Sequence, residues 1–265
     1  MLQVATTGGD EVDERLEGTV ALVTGASSGI GEATARLLAA RGAAVAIAAR
    51  RSDRLEQLAA EIESKGGRAL VIEADVTDRE QAIAAVERTA AELGRLDILV
   101  NNAGVMLLGP ALDAPLEEWE RTVDLNVKGL LYCTHAALPH LLAAAETEPR
   151  KLADLVNISS VAGRKANAGS GIYNLSKFGV GAFSESLRME LAKRHVRVSL
   201  VEPGFVKTEL SNHIRAELRD AARQRYVGVE ILEAEDIADA IVYVVTRPRR
   251  MAVNEVLVRP TEQEF

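Results

Sequence analysis

Seven short apolar runs recur along this chain, and a longer run with helical spacing follows each of the first six. The runs are residues 20–23 (VALV), 44–48 (AVAIA), 68–73 (RALVIE), 97–100 (DILV), 154–158 (DLVNI), 196–201 (VRVSLV) and 253–258 (VNEVLV). Strands that are apolar throughout, rather than alternating, are buried on both faces. Joined by helical crossovers, they form a parallel sheet with helices on either side. Helices are expected over 31–41, 53–65, 78–93, 115–145 with a break near Pro139, a long stretch after Tyr173, and 234–245. A charged helical segment at 209–225 interrupts the alternation. No linker or repeat divides the chain, so the pattern predicts one doubly wound α/β domain over 18–265, preceded by a flexible tail at 1–17.

Composition narrows the function. Apolar residues make up 48% of the 265 positions and aromatics only 3%, so alanine, valine and leucine must fill the core. The net charge of −8 excludes the broad basic surface of a nucleic-acid binder and any polybasic membrane patch. The single cysteine, Cys133, forms no disulfide within the chain and lies in an apolar helical stretch, as a core residue does. No apolar run has the length of a membrane span, and residues 1–17 lack the apolar region of a signal peptide. These features predict a soluble cytoplasmic protein. His135, His140, His195 and His213 have no metal-ligand spacing, so no metal is expected.

The first strand runs into TGASSGIG at 24–31, with Gly25, Gly29 and Gly31 around Ser27, Ser28 and Ile30. Glycines at a strand-to-helix turn let the backbone approach a pyrophosphate at the helix N-terminus. The turn lacks the Lys-Ser/Thr ending of a triphosphate-binding loop. The second strand ends in Arg50-Arg51, where an NAD site usually carries an acid on the ribose hydroxyls. A carboxylate would repel a 2′-phosphate, whereas a guanidinium pairs with it through two hydrogen bonds. The alternative, a solvated helix start, is weaker one strand after a pyrophosphate turn. NADP(H) is therefore expected. Asp75-Val76 ends the third strand within reach of an adenine amino group. Its alternative use, capping the next helix, is open to Thr77 and Asp78. Asn102, Ala103 and Gly104, after the fourth strand, are small enough to keep a crevice open.

Tyr173 and Lys177 stand four residues apart and share one helix face. A phenol titrates near pH 10, and a nearby ammonium lowers that value toward useful acid–base chemistry. Ser160 ends the fifth strand, where a hydroxyl can reach the oxygen that Tyr173 serves, and Ser159 is equally suited by chemistry alone. Asn126, inside a helix, is either a satisfied buried amide or the holder of a water in a proton relay to Lys177. Arg164 and Lys165 either meet an anionic substrate group or belong to a solvated loop.

Taken together, TGASSGIG at 24–31, NNAG at 101–104, Asn126, Ser160, YNLSK at 173–177 and PGFVKT at 203–208 resemble a classical short-chain dehydrogenase/reductase, a Rossmann-type fold. The resemblance implies a catalytic tetrad of Asn126, Ser160, Tyr173 and Lys177. The thirteen-residue spacing to the tyrosine selects Ser160 over Ser159. It also implies that Arg50 and Arg51 favour NADP, and that Pro203, Gly204, Val206 and Thr208 line the nicotinamide end. A narrower resemblance, in residues 173–190, 201–210 and 254–263, is to the clavulanate dehydrogenase and NADP-dependent serine/3-hydroxy acid dehydrogenase group. The expected activity is NADPH-dependent hydride transfer to or from a small carbonyl or alcohol substrate: an aldehyde, ketone or hydroxy acid, of the kind met in secondary metabolism. The alternative is a non-catalytic NADP-sensing protein. Met106, Leu107, Val161, Ala162, Asn167, Phe205 and the 209–225 segment, read as a mobile lid, are expected to line the substrate pocket. The helix carrying Gly179, Gly181 and Ala182 is implied to form a dimer face within a homotetramer.

Overall fold

The computed structural model describes residues 15–224 and 227–264. All seven strands pair in parallel in one sheet: β1 (Val20–Thr24), β2 (Ala44–Ala49), β3 (Arg68–Glu73), β4 (Ile98–Asn101), β5 (Ala153–Ile158), β6 (Val196–Pro203) and β7 (Glu255–Val258). Their spatial order is β3-β2-β1-β4-β5-β6-β7, so the winding reverses between β1 and β4. Successive residues of a strand face opposite sides. Ala21, Val23, Val45 and Ile47 pack under α1 (Gly29–Ala40), α2 (Ser52–Ser64) and α8 (Ala234–Val245). Leu22, Ala46, Ala48 and Leu99 pack on the other face under α3 (Arg79–Leu93), α5 (Leu130–Ala145) and α6 (Gly171–Leu191). Much of the helix surface at both layers is alanine, which brings the helices close to the sheet without aromatic filler.

The expected helix over 115–145 is instead α4 (Leu116–Val123), a π-helical turn (Asp124–Gly129) and α5. Pro139 does not break it. A proline forfeits one backbone hydrogen bond, but Cys133, Ala136, Ala137 and Leu141 are buried around it and hold the helix. The irregularity falls one element earlier and contains Asn126, as π-turns often do at functional positions. The charged segment also differs from expectation. It is a 3-10 turn (Glu209–His213), an extended and buried Ile214, and then α7 (Ala216–Arg223). Of the expected tail, residues 1–14 lie outside the described residues. Leu16 is buried at 1% exposure and its amide donates to the Arg41 carbonyl, so the packed domain already includes it. Among the described residues no helix is long and apolar enough to cross a membrane.

At the edge of the sheet opposite the strand C-termini, charge is buried. Asp154 at the start of β5 takes Arg197 Nε at 2.7 Å and Nη2 at 3.1 Å, and Arg150 Nη2 at 2.8 Å. Arg197 also donates to the carbonyls of Val245, Arg247 and Met251, tying β6 to the end of α8 and the approach to β7. Removing one partner strands a desolvated charge, which costs about 3–5 kcal/mol. Asp154→Leu, which takes the carboxylate from both Arg197 and Arg150, is expected to lower unfolding free energy by that amount in denaturant titrations. A loss below about 1 kcal/mol, the scale of a surface pair, would contradict this account.

Candidate active site

Because the strands are parallel, their C-terminal ends meet on one side, and the reversal between β1 and β4 opens a crevice there. A cleft of about 630 Å³ occupies it. That is within the range of about 300–1,000 Å³ typical of ligand sites. Of the residues expected to hold the cofactor, Gly25, Ser27, Ser28, Gly29, Ile30, Arg50, Arg51, Asp75, Val76, Asn102, Ala103 and Gly104 line it. So do Tyr173, Lys177, Pro203, Gly204, Val206 and Thr208. Gly31 lies buried beneath the turn and outside this lining.

The glycine turn is held from below. Thr24 Oγ1 accepts the amides of Asn102 and Ala103 at 3.1 Å each, and Asn102 Nδ2 donates to the carbonyls of Thr24 and Gly25. Gly25 and Gly29 have φ of +67° and +58°, a region that favours glycine. At Gly25 a side chain would also meet Ala103 Cα at 2.8 Å. This bare backbone, opening α1 at the cleft wall, fits a pyrophosphate.

Arg51 lies across the same turn. Its Nε and Nη2 reach Ser27 Oγ at 3.1 and 3.0 Å, and Nη2 reaches Ser28 Oγ at 2.8 Å. Arg50 is more exposed and is 3.7 Å from Asp75. Asp75 accepts from the amide and hydroxyl of Thr77, while Asp78 caps α3 through the amides of Glu80 and Gln81. Asp75 is thus not the cap.

The catalytic candidates converge at the inner end of the cleft. Tyr173 and Lys177 sit in the first turns of α6, both buried, and Ser160, two residues beyond β5, caps the 3-10 turn Val161–Gly163. Burial pushes the Tyr173 phenol up to about 12, and a hydrogen bond with Ser160 opposes that rise. Burial pulls Lys177 down to about 8. Lys177 Nζ donates to the Ile158 carbonyl at 2.8 Å and lies 5.8 Å from the centre of the Tyr173 ring. The expected lowering of the phenol by the ammonium is therefore not what dominates here; dehydration of the ring outweighs it. Ser159 also lines the cleft, but its Oγ is engaged by the Lys177 carbonyl, to which it donates at 3.2 Å.

Asn126 stands behind this group. Its Oδ1 accepts from the Val105 amide at 2.8 Å, and its Nδ2 donates to the Val105 carbonyl at 2.9 Å and to Ser176 Oγ at 3.2 Å. Ser176 Oγ in turn donates to the Tyr173 carbonyl. The amide thereby joins the π-turn, the loop after β4 and α6 in one hydrogen-bonded unit.

Met106, Val161, Ala162, Asn167 and Phe205 line the cleft as expected, but Leu107 does not. It is buried in the fold, and Leu108 takes the wall position. Lys165 also lines the cleft. Arg164 does not; it is bound to the buried Glu202 and to Glu255, which raise its guanidinium further. His213 lines the cleft with Nδ1 buried and without a hydrogen-bond partner. Burial, then Arg121 and Arg50, hold its ring below the usual range. Among the described residues, no group of three or more His, Cys, Asp or Glu gathers as metal ligands. Two contributors went unread in the sequence. Arg54 stands one helical turn after Arg51, a spacing that could have flagged it. Glu209, which meets both arginines, is 158 residues from Arg51 and gave no signal.

Residues 19–219 match the short chain dehydrogenase family. A glycine betaine reductase of Emericella nidulans is 42% identical over 251 residues, which are 94% of this chain but 19% of that much longer protein. An uncharacterized oxidoreductase of Staphylococcus aureus is 36% identical over 91% of this chain and 96% of its own length. The closed form of a serine dehydrogenase complexed with NADP+ superposes with a TM-score of 0.84 at 34% identity, covering 93% of this chain and 97% of that one. The chain belongs to the short-chain dehydrogenase family, a family of oxidoreductases.

The two shifted groups give a pH dependence with a definite sign. Tyr173 stays protonated to about pH 12, whereas Lys177 loses its charge above about pH 8. Carbonyl reduction, which takes a proton from the site, is expected to fall along an alkaline limb centred near pH 8 when kcat/KM is followed. This parameter reports the free enzyme. A kcat/KM that stays flat to pH 10 would show that the Lys177 charge is not needed.

Proposed function

We propose that the protein transfers a hydride between NADP(H) and a small carbonyl or alcohol, with Tyr173 as the proton donor and acceptor. The observation that carries this reading is the meeting, in one cleft, of a buried phenol, its Ser160 partner and a buried Lys177 with a glycine turn overlaid by Arg51. NADPH, when bound, supplies the hydride. The chain's own groups do the rest. Ser160 Oγ and Tyr173 Oη together hold the substrate oxygen. Tyr173 gives that oxygen its proton in reduction and takes it back in oxidation. A charged Lys177, with Nζ 5.8 Å from the centre of the Tyr173 ring, favours the phenolate as it forms. Asn126 keeps the loop after β4 and α6 in register. Two NADP(H)-directed contacts follow from the geometry: the α1 N-terminus toward pyrophosphate and Arg51 toward the 2′-phosphate.

Within the family, this reading places the chain with NADP-dependent dehydrogenases of serine and related hydroxy acids, supported by the likeness to the serine dehydrogenase over nearly its full length. A homo-oligomer, a dimer or a tetramer with α6 on a dimer face, belongs to the same reading. Leu175, Phe178 and Met189 are exposed on that helix, and Gly179 has open space where a side chain would stand, whereas Gly181 faces Leu200 inside the fold. Cytoplasmic placement is also part of it. Cys133 is buried, with its thiol pushed up to about 12.

Tyr173→Phe removes the acid and keeps the ring. It is expected to lower kcat by about 10²–10⁴-fold with the fold intact by circular dichroism. A variant keeping more than half of the wild-type rate, with chemistry rate-limiting, would exclude Tyr173 as the proton donor. A hydrogen bond to a charged group contributes about 1.5–3 kcal/mol, so Arg51→Ala is expected to weaken NADPH binding by about ten- to a hundred-fold. Arg50→Ala, at an exposed pair, should change it by no more than about fivefold. Binding titrations with NADPH and NADH test this. Preference for NADH in the wild type, or an Arg51→Ala variant that binds NADPH normally, would refute it.

A further inference from the structure

Arg51 and Arg54, one turn apart at the start of α2, converge on a single carboxylate. Arg51 Nη1 lies 2.8 Å from Glu209 Oε2, and Arg54 Nη1 lies 2.7 Å from Oε1. Arg51 meanwhile keeps its other nitrogens on Ser27 and Ser28, at the mouth of the glycine turn. The carboxylate thus sits between two guanidiniums, beside the turn read above as the pyrophosphate site. The two arginines hold it near a pKa of about 2, so it is an anion throughout the useful pH range.

Glu209 also occupies a particular place in the chain. It follows Thr208 directly and opens the segment that covers the cleft. The base of that segment is pinned by a parallel bridge between Val206 and Leu232, with Lys207 donating to the Leu232 carbonyl and Leu232 to the Phe205 carbonyl. Its middle is pinned by the buried Ile214 and by Arg215, whose Nε lies 3.3 Å from Glu118 of α4. Between base and middle, Glu209 pairs ionically with Arg51 and Arg54.

We infer that Glu209 is an internal competitor of the cofactor's 2′-phosphate, and that Arg54 is a further contact for that phosphate. The inference rests on the NADP(H) reading of Arg51. A phosphate and a carboxylate cannot both sit between the same two guanidiniums, since two anions at that distance repel strongly. Guanidiniums favour the phosphate, which carries more charge and more acceptor oxygens. Binding of the phosphorylated cofactor therefore expels Glu209 and frees the first turn of the segment. A cofactor without the 2′-phosphate leaves the carboxylate where it is. Glu209 so lowers the affinity for NADP(H) selectively, and links the adenosine end of the cleft to the segment over the substrate end.

The test uses the full chain and two nucleotides that differ in the 2′-phosphate, 2′,5′-ADP and ADP, with affinities from calorimetry. Glu209→Gln keeps the shape and removes the charge. It is expected to tighten 2′,5′-ADP by about three- to thirty-fold and to change ADP less than twofold. In the Glu209→Gln background, adding Arg54→Ala should weaken 2′,5′-ADP about tenfold and spare ADP. Hydrogen exchange supplies a readout independent of affinity. Saturating 2′,5′-ADP should speed exchange over residues 209–213 in the wild type, and ADP should not. Unchanged or weaker binding of 2′,5′-ADP by Glu209→Gln overturns the competitor role, as does exchange over 209–213 that 2′,5′-ADP leaves unaltered. An Arg54→Ala change without effect overturns the second contact. Equal affinity for the two nucleotides in both the wild type and Glu209→Gln would instead bring down the 2′-phosphate reading of Arg51, and this inference with it.

Discussion

The parallel pairing of β1 with β4 is the constraint on which the site depends. It joins strands far apart in sequence at the point where the winding reverses, and the loops that leave them must diverge to opposite faces of the sheet. The divergence creates the crevice, but it also strips neighbours from the two strand ends. One hydroxyl compensates. Thr24 Oγ1 accepts two amides from the loop after β4, and the Asn102 side chain returns two hydrogen bonds to the carbonyls of the glycine turn. The glycine backbone is thereby fixed in a conformation that leaves it bare toward the cleft. Arg51 takes its place on that fixed edge through Ser27 and Ser28.

The chemistry depends on dehydration at the other end of the cleft. Tyr173, Ser160 and Lys177 are each less than a tenth exposed. Removing water raises the phenol and lowers the ammonium, so the resting pair is biased toward neutral forms. The same dehydration strengthens any charge that develops on the substrate oxygen or the phenol, because fixed dipoles replace mobile water. The Ile158 carbonyl holds the Lys177 nitrogen, and Asn126 holds the helix that carries both. At neutral pH the site therefore holds a protonated phenol beside an ammonium that is still charged.

Local sequence pattern disclosed the architecture well and the contacts unevenly. β3 and α8 fall at the expected bounds because apolar runs and capping residues decide them locally. The glycine turn was legible as a short motif at a strand end, the Tyr173–Lys177 pair as a four-residue helical spacing, and Ser160 only through its thirteen-residue spacing to Tyr173 in the family pattern. The π-turn around Asn126 was not, since it turns on how α4 and α5 seat against α6 and the loop after β4. Pro139 misled because burial on both sides of it outweighs one missing hydrogen bond. Leu107 and Leu108 are both apolar, and only the path of the loop decides which faces the cleft. Arg164 was readable either as a substrate contact or as part of a solvated loop, and it is neither, because its partner Glu202 lies on β6, distant in sequence. A longer separation, 158 residues, hid Glu209 from Arg51.

The central claim is that a carbonyl is reduced where Ser160 and Tyr173 meet. The most direct measurement supplies NADPH deuterated at the transferring position to the purified protein, with a panel of small aldehydes, ketones and oxo acids. Deuterium is then located in the products. The account predicts a product alcohol labelled on its carbinol carbon, formed with wild type and lost with Ser160→Ala. Tight binding of NADPH with no label passed to any carbonyl in the panel would contradict it, and would instead describe a protein that binds the nucleotide without turning it over.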